Sequence, residues 1–95
     1  RLSRRAKNFP LEPFVHIQPE EGAQRWHLTI HASDRIGLLY SIARVLANHG
    51  VRLQLAKIST MGDRVEDTFL IEGNALQSPQ YQAALERDLL AAVTG

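Results

Sequence analysis

The sequence contains no cysteine, so it can form neither a disulfide framework nor a metal site built from thiolates. Long apolar runs are absent as well, since no stretch approaches the ~18 consecutive apolar residues of a membrane-spanning helix. The opening residues RLSRRAKNFP also lack the apolar segment of a secretion signal. These absences lead us to expect a cytoplasmic protein without a membrane partner.

An excess of basic residues is missing from most of the chain. The net charge is +1, but four of the eleven Lys and Arg residues lie within the first eight positions. The other seven stand against ten Asp and Glu residues, which argues against a nucleic-acid partner. We predict that residues 1 to 13, which include Pro10 and Pro13, form a basic linker from an upstream domain. Residues 14 to 95 have the length and composition of one folded domain.

Apolar periodicity predicts six elements in this domain. Residues 14 to 18 (FVHIQ) and 25 to 32 (RWHLTIHA) alternate as half-buried strands, and residues 51 to 60 and 65 to 73 have strand patterns too. A helix follows each pair of strands. This order predicts an α+β fold, a two-layer ferredoxin-like ββαββα sandwich with a four-stranded antiparallel sheet and two helices on one face. We expect the spatial strand order 14–18, 25–32, 65–73, 51–60.

The first predicted helix follows the loop SDRIG, with Asp34 placed as its N-cap. Its apolar face is predicted as Leu39, Ile42, Ala43 and Leu46. A glycine inside a helix costs ~1 kcal/mol relative to alanine. The presence of Gly37 therefore suggests that its backbone comes close either to a ligand or to the sheet.

Three further features are predicted for the later elements. The apolar face of the strand 51–60 changes sides near Leu55, which indicates a β-bulge or a strong twist. The sequence MGDR, residues 61 to 64, is typical of a tight hairpin. Ser78 is placed as the N-cap of the second helix. The buried stripe of that helix is predicted as Tyr81, Leu85, Leu89 and Ala92.

Asp67 shares the parity of the apolar residues of its strand, which places it on the inward face. A carboxylate should not be buried alone. We expect it either to reach water at the end of the strand or to pair with Arg64, Lys57 or Arg52. This structural role is preferred to contact with a ligand.

Two groups of residues raise the possibility of other chemistry. His16, His27 and His31 fall on the outer face of adjacent strands, but His27 and His31 are ~13 Å apart along one strand, too far for one zinc ion. A polar face that packs against another domain is the better account of them. Ser33, Asp34 and His31 are neighbours in one turn, whereas a catalytic triad converges across a cleft. We therefore expect neither a metal nor a catalytic residue.

The segments DRIGLL and ARVLANHGVRLQLAKISTMGDRVEDTFLIEG resemble the ACT-domain family of small-molecule-sensing modules. The resemblance covers residues 25 to about 93, and it is closest to the last ACT domain of the bacterial PII uridylyltransferase/uridylyl-removing enzymes. The family often has proline where Ile36 stands, a departure that should leave the turn intact. The resemblance implies ligand contacts from the loop residues Asp34, Arg35, Ile36, Gly37 and Leu38. Because ligand sites in the family usually lie between two domains, it also implies contacts from the strand residues Arg52 and Gln54.

The loop suits an amino acid on physical grounds as well. Backbone N–H groups at a helix N-terminus favour a carboxylate, and Gly37 has no side chain to block its approach. Asp34 is placed to pair with the ammonium group of the same ligand. The competing interpretation is that Asp34 is a plain N-cap and Gly37 a close contact between helix and sheet.

The resemblance implies a regulatory function without catalysis by this chain. The resemblance implies that the domain senses a small amino acid, most simply glutamine. It would thereby control the nucleotidyltransferase and hydrolase domains of a longer enzyme in nitrogen regulation. That parent enzyme would act on the protein PII and use Mg²⁺, whereas no cofactor is expected for this chain. Two alternatives stay open: a ligand-free structural or dimerisation module, and the ACT domain of another enzyme such as a (p)ppGpp synthetase.

Overall fold

The computed structural model describes residues 12–22 and 24–94, so nearly all of the predicted linker lies outside the described residues. The described residues form five strands, two α-helices and one short 3₁₀ helix, Asn74–Gln77. In chain order, the strands and α-helices are β1 (Phe14–Pro19), β2 (Trp26–Ser33), α1 (Leu38–Asn48), β3 (Arg52–Lys57), β4 (Thr60–Met61), β5 (Arg64–Glu72) and α2 (Pro79–Thr94).

The sheet is antiparallel throughout, with the order β1-β2-β5-β3, and β4 also pairs with β5. The predicted α+β class and strand order are therefore confirmed. The prediction of four strands was wrong, because residues 51 to 60 form two strands rather than one. The first of them ends at Lys57, and beyond it the Ser59 backbone N–H donates to the carboxylate of Asp67 at 3.2 Å. The predicted bulge is present between Leu53 and Leu55, where the register with β5 shifts.

The core lies between the two helices and the inward face of the sheet. Strict alternation on the central strands fills that face, as the sequence predicts: Trp26, Leu28, Ile30 and Ala32 of β2 and Val65, Phe69 and Ile71 of β5 are all buried. Ile17 adds a buried side chain from β1, and Val15 packs against the same cluster. The continuity of this cluster makes the described residues one packed unit.

The buried face of α1 differs from the predicted one. Leu38, Ile42 and Leu46 are buried, whereas Leu39 is 48% exposed and Ala43 is exposed. Both stripes satisfy a 3.6-residue period, so periodicity does not choose between them. The choice is made by packing, because α1 contacts α2 more extensively than it contacts β3. The helix therefore turns Leu38 toward the core and leaves Leu39 beside the edge of the sheet.

The predicted ends of the helices are largely confirmed. The Tyr81 backbone N–H donates to Ser78 Oγ at 3.2 Å, which caps α2. Gly50 follows α1 with a φ of +70°, a left-handed conformation that glycine adopts without strain. In α2 the buried stripe is Leu85, Leu89 and Val93, so Val93 replaces the predicted Ala92. Neither described helix combines the length and the hydrophobicity needed to cross a membrane.

Candidate functional site

A cavity of about 220 Å³ borders the loop that joins β2 to α1. This volume lies below the ~300–1,000 Å³ of pockets for drug-sized ligands. It is lined by residues of the loop, the first turn of α1 and the strands β4 and β5: Asp34, Arg35, Gly37, Leu38, Leu39, Tyr40, Ile58, Thr60, Val65 and Asp67. The cavity therefore suits a small metabolite.

Gly37 lies immediately before α1 and not within it. It is the N-cap residue, with φ +84° and ψ 2°, and no side chain caps the helix. The prediction of Asp34 as N-cap was wrong: the helix begins four residues later, and the Asp34 backbone N–H donates to the carbonyl of Asp63 at 2.9 Å. A Cβ added to Gly37 would meet no atom within 4 Å, so a close contact between helix and sheet does not explain this glycine. Its left-handed conformation does.

One wall of the cavity is electropositive. The first-turn amides of a helix lack intrahelical acceptors and carry a partial positive charge. In α1 no side chain caps these amides and no acidic residue lies in the first turn. The Leu38 N–H donates to the Arg35 carbonyl at 3.2 Å, and Leu38, Leu39 and Tyr40 of that turn border the cavity. The cation Arg35 also lines it, with its guanidinium donating to the Ala92 carbonyl at 2.6 Å. A carboxylate is the group that this wall favours.

The cavity lining also includes Asp67, whose side chain is 0% exposed. Its Oδ1 accepts a hydrogen bond from the Ser59 backbone N–H at 3.2 Å, and its Oδ2 has no partner among the described residues. Burial raises the pKa of Asp67, the bond from Ser59 opposes this, and the nearby carboxylate of Asp34 raises the pKa further. These effects favour either a neutral Asp67 or a cationic neighbour.

The prediction that Asp67 reaches water or pairs with a cation of the chain was wrong, and the register of the sheet explains why none of the expected cations is near it. Arg52 lies opposite Glu72 and Lys57 opposite Thr68, while Arg64 has the same parity as these two β5 residues. All three cations therefore lie on the outer face of the sheet, whereas Asp67 faces inward. Arg52 donates to Glu72 at 2.6 Å instead.

The structure brings together four of the seven predicted ligand-binding residues. Asp34, Arg35, Gly37 and Leu38 all line the cavity. Ile36 does not, and its side chain is 99% exposed. Arg52 and Gln54 lie on β3 outside the residues that line the cavity. Any contact that these three make with a ligand stays a prediction.

Sequence reasoning did not include Asp67 or the β4 residue Thr60 in the site. The inward parity of Asp67 was visible in the sequence, and it was the available signal. The contribution of Thr60 was not visible, because it depends on the break between β3 and β4.

The histidines that raised the possibility of zinc lie on the outer face of the sheet, as predicted. His31 packs against the ring of Phe14 with 5.2 Å between centroids, and His27 lies 3.5 Å from a carboxylate oxygen of Glu20. Within residues 12–22 and 24–94, no group of three His, Asp or Glu side chains is arranged to hold a metal ion. His31 also lies on the face away from the cavity.

Comparison with solved structures supports the fold assignment. An unknown protein from Galdieria sulphuraria superposes with a TM-score of 0.60 over 70% of this chain and 39% of its own, at 24% identity. A likeness at this identity concerns the fold alone. No protein-family model matches the sequence.

Comparison with curated proteins identifies relatives of much greater length. The bifunctional uridylyltransferase/uridylyl-removing enzyme of Bordetella pertussis is 48% identical over 93 residues, or 98% of this chain. The enzymes of the same name from Cupriavidus pinatubonensis and Aromatoleum aromaticum are each 49% identical, over 94 and 90 residues. The chain spans 11% of the length of the first two relatives and 10% of the third. This chain is therefore homologous to a segment of the bifunctional uridylyltransferase/uridylyl-removing enzymes, as its sequence predicts.

Proposed function

We propose that this chain is an ACT-type regulatory domain that binds a free amino acid, glutamine in the first instance, and that it controls a longer uridylyltransferase/uridylyl-removing enzyme. Homology to a segment of enzymes with that name supports the parent context. The two helices over an antiparallel sheet of order β1-β2-β5-β3 support the ACT-type architecture. By this proposal the parent acts on PII with Mg²⁺, and this chain supplies regulation.

The observation that carries the proposal is a cavity lined by groups of both charges. The N-terminus of α1 and Arg35 line it together with the carboxylates of Asp34 and Asp67. A free amino acid has a carboxylate and an ammonium group on the same carbon, so it complements both kinds of group at once. A neutral or singly charged metabolite would leave one kind without a counterion.

Regulation by such a site needs no deformation of the domain. A ligand shifts an equilibrium between arrangements by the difference in its affinity for them. Gly37 and Ile58 border the cavity from segments that are distant in the sequence, and the exposed strand β3 ends at Lys57, immediately before Ile58. A neighbouring domain that covers this edge would meet a different surface when the cavity holds an amino acid.

The test is a calorimetric and NMR titration of the 95-residue chain with L-glutamine. Wild-type protein should bind, with amide shifts concentrated at residues 34 to 40 and 58 to 67. Gly37→Val should abolish binding, because a β-branched side chain disfavours the left-handed conformation and adds bulk beside the cavity. Gly62→Val is the matched control, since Gly62 has a similar φ of +67° but lies outside the cavity lining.

Both glycine variants are expected to lose ~1–2 kcal/mol of stability through backbone strain. Binding should be lost only in Gly37→Val. Equal loss in both variants would trace the effect to strain and not to the site. If wild-type protein shows no binding, or if a full-length parent enzyme keeps its glutamine response with Gly37→Val, the sensing proposal is wrong.

A second candidate, an association module without ligand, is favoured by one observation. An apolar groove of about 210 Å³ is formed by Leu39, Ala43, Leu53, Ala56, Ile58 and adjoining core residues. The groove lies beside β3, which is the last strand in the order β1-β2-β5-β3. A second ACT-type domain could add a strand to β3 and cover the groove at the same time. Sedimentation analysis of wild-type protein and Leu53→Asp tests this: a dimer that the substitution dissociates would support the second candidate.

A further inference from the structure

Asp67 is the least explained residue of the cavity. Its side chain is fully buried, yet only one of its two carboxylate oxygens has a hydrogen-bond partner among the described residues. Buried charges in proteins are normally paired, because an isolated ionised carboxylate in an apolar environment is strongly unfavourable. The unpartnered Oδ2 belongs to a residue that lines the cavity. A group that enters the cavity can therefore satisfy it.

No Lys or Arg side chain among the described residues pairs with Asp67 Oδ2. Arg52, Lys57 and Arg64 lie on the outer face of the sheet. Arg35 borders the cavity, but its guanidinium is directed to the C-terminal end of α2 through the Ala92 carbonyl. An ionised Asp67 therefore needs a counterion from outside these residues.

We infer that Asp67 Oδ2 accepts a hydrogen bond from the protonated amine of the ligand, and that Asp67, not Asp34, is the residue that selects an amino acid over its deaminated analogue. This inference rests on the proposed function. Asp34 is exposed, so its interaction with an ammonium group is weakened by water, whereas that of Asp67 is not. The ligand class is a zwitterion with a free α-ammonium group.

The arrangement also sets the orientation of the ligand. The ammonium group lies against Asp67 on β5, and the carboxylate lies toward the first turn of α1. Molecules with two carboxylates and no amine would place a negative charge against Asp67, and the site should reject them. A divalent metal ion is the other cation that a carboxylate attracts, and the experiment distinguishes it.

The experiment titrates the full 95-residue chain with L-glutamine, with glutaramate, which is glutamine without its α-amino group, and separately with MgCl₂. Wild-type protein should bind L-glutamine at least about tenfold more tightly than glutaramate, the ratio expected from one hydrogen bond to a charged group. Asp67→Asn should lose at least that factor for L-glutamine and should no longer distinguish the two compounds. Asp63→Asn makes the same chemical change at an exposed turn residue outside the cavity lining, and it should behave as wild type.

Each remaining outcome decides a specific point. Unchanged affinity of Asp67→Asn for L-glutamine would overturn the inference and leave the proposed function intact. Equal affinity of wild-type protein for both compounds would overturn it without any variant, so the test does not depend on the folding of Asp67→Asn. Binding of Mg²⁺ to wild-type protein but not to Asp67→Asn would identify a metal as the counterion and also overturn it. If wild-type protein binds neither organic compound, it is the proposed function that fails.

Discussion

Replacing Asp67 with asparagine should stabilise the domain at neutral pH in the absence of ligand, although most substitutions of fully buried residues are destabilising. The Asp67 side chain is 0% exposed, and its Oδ2 has no partner among the described residues. Asparagine has nearly the same shape, and its side-chain oxygen can still accept the hydrogen bond from Ser59. The change removes a buried charge, but the asparagine NH2 takes the place of Oδ2 and is itself unpartnered. Only the additional cost of a charged over a neutral unpaired group is recovered, so we expect a gain of about 1 kcal/mol.

The gain in stability of Asp67→Asn over wild type should increase with pH, because the pKa of Asp67 is raised in the folded state. Burial raises the pKa of Asp67 in the folded state above its value in the unfolded chain. The folded state therefore holds this proton more tightly, and the contribution of Asp67 to stability is fully present below the unfolded pKa of ~4 and is lost as pH rises through the folded pKa. Asparagine does not titrate. The difference between variant and wild type should be small near pH 4 and reach its full size by pH 7.

Urea unfolding, followed by far-UV circular dichroism between pH 4 and pH 8, measures this difference directly, with Asp63→Asn as the control. A change of 1 kcal/mol moves the Tm of a domain of this size by ~4–8 °C, so thermal unfolding should show the gain as well. If Asp67→Asn is less stable than wild type at pH 7, or if the difference is the same at all pH values, then Asp67 has a partner in the folded chain. The cavity would then lose the group that makes it a site for an ammonium ion.

The other two predictions test the packing of α1. Leu38→Ala should lower the free energy of unfolding by ~2–5 kcal/mol because Leu38 is buried, whereas Leu39→Ala should cost less than ~1 kcal/mol; equal costs in urea unfolding would favour the stripe predicted from the sequence. His49 joins α1 to α2 through Tyr81 Oη at 3.0 Å and Asp88 Oδ2 at 2.8 Å. His49→Ala should therefore cost ~1–3 kcal/mol in the same assay, and a loss below ~0.5 kcal/mol would show that the two helices are held without these bonds.

Much of the fold could be predicted from the sequence, because the strands and their buried faces follow from local patterns of apolar residues. Alternation with period two assigns Leu28 and Ile30 to the core whatever the rest of the chain does. The face of α1 could not be predicted in this way. Stripes that begin at Leu38 and at Leu39 have the same period, and the contact of α1 with α2 decides between them. Such a choice depends on the placement of a distant element.

In the candidate site, too, the residues close together in sequence could be predicted, and those from distant strands could not. The unusual position of Gly37 pointed to the cavity loop. The alternative of a close contact with the sheet was wrong, because this glycine is a left-handed N-cap with no protein atom near its Cβ position, and the approach of a ligand stays a prediction. Asp34, Arg35, Gly37 and Leu38 all lie within five consecutive positions of the sequence, so one local signal located all of them. Thr60 and Asp67 come from other strands, and their place at the cavity depends on register.

The register of one bulge accounts for the most informative feature of the site. Leu53 lies opposite Ile71, and continuing that register without a bulge would place Lys57 directly opposite Asp67 and on the same face of the sheet. The shift between Leu53 and Leu55 places Lys57 opposite Thr68, with its side chain on the outer face. One additional residue in β3 thus removes the cation that would have paired with Asp67. A buried carboxylate is left in the lining of the cavity without a cationic partner among the described residues, and by the function proposed above the ammonium group of the ligand supplies the missing positive charge.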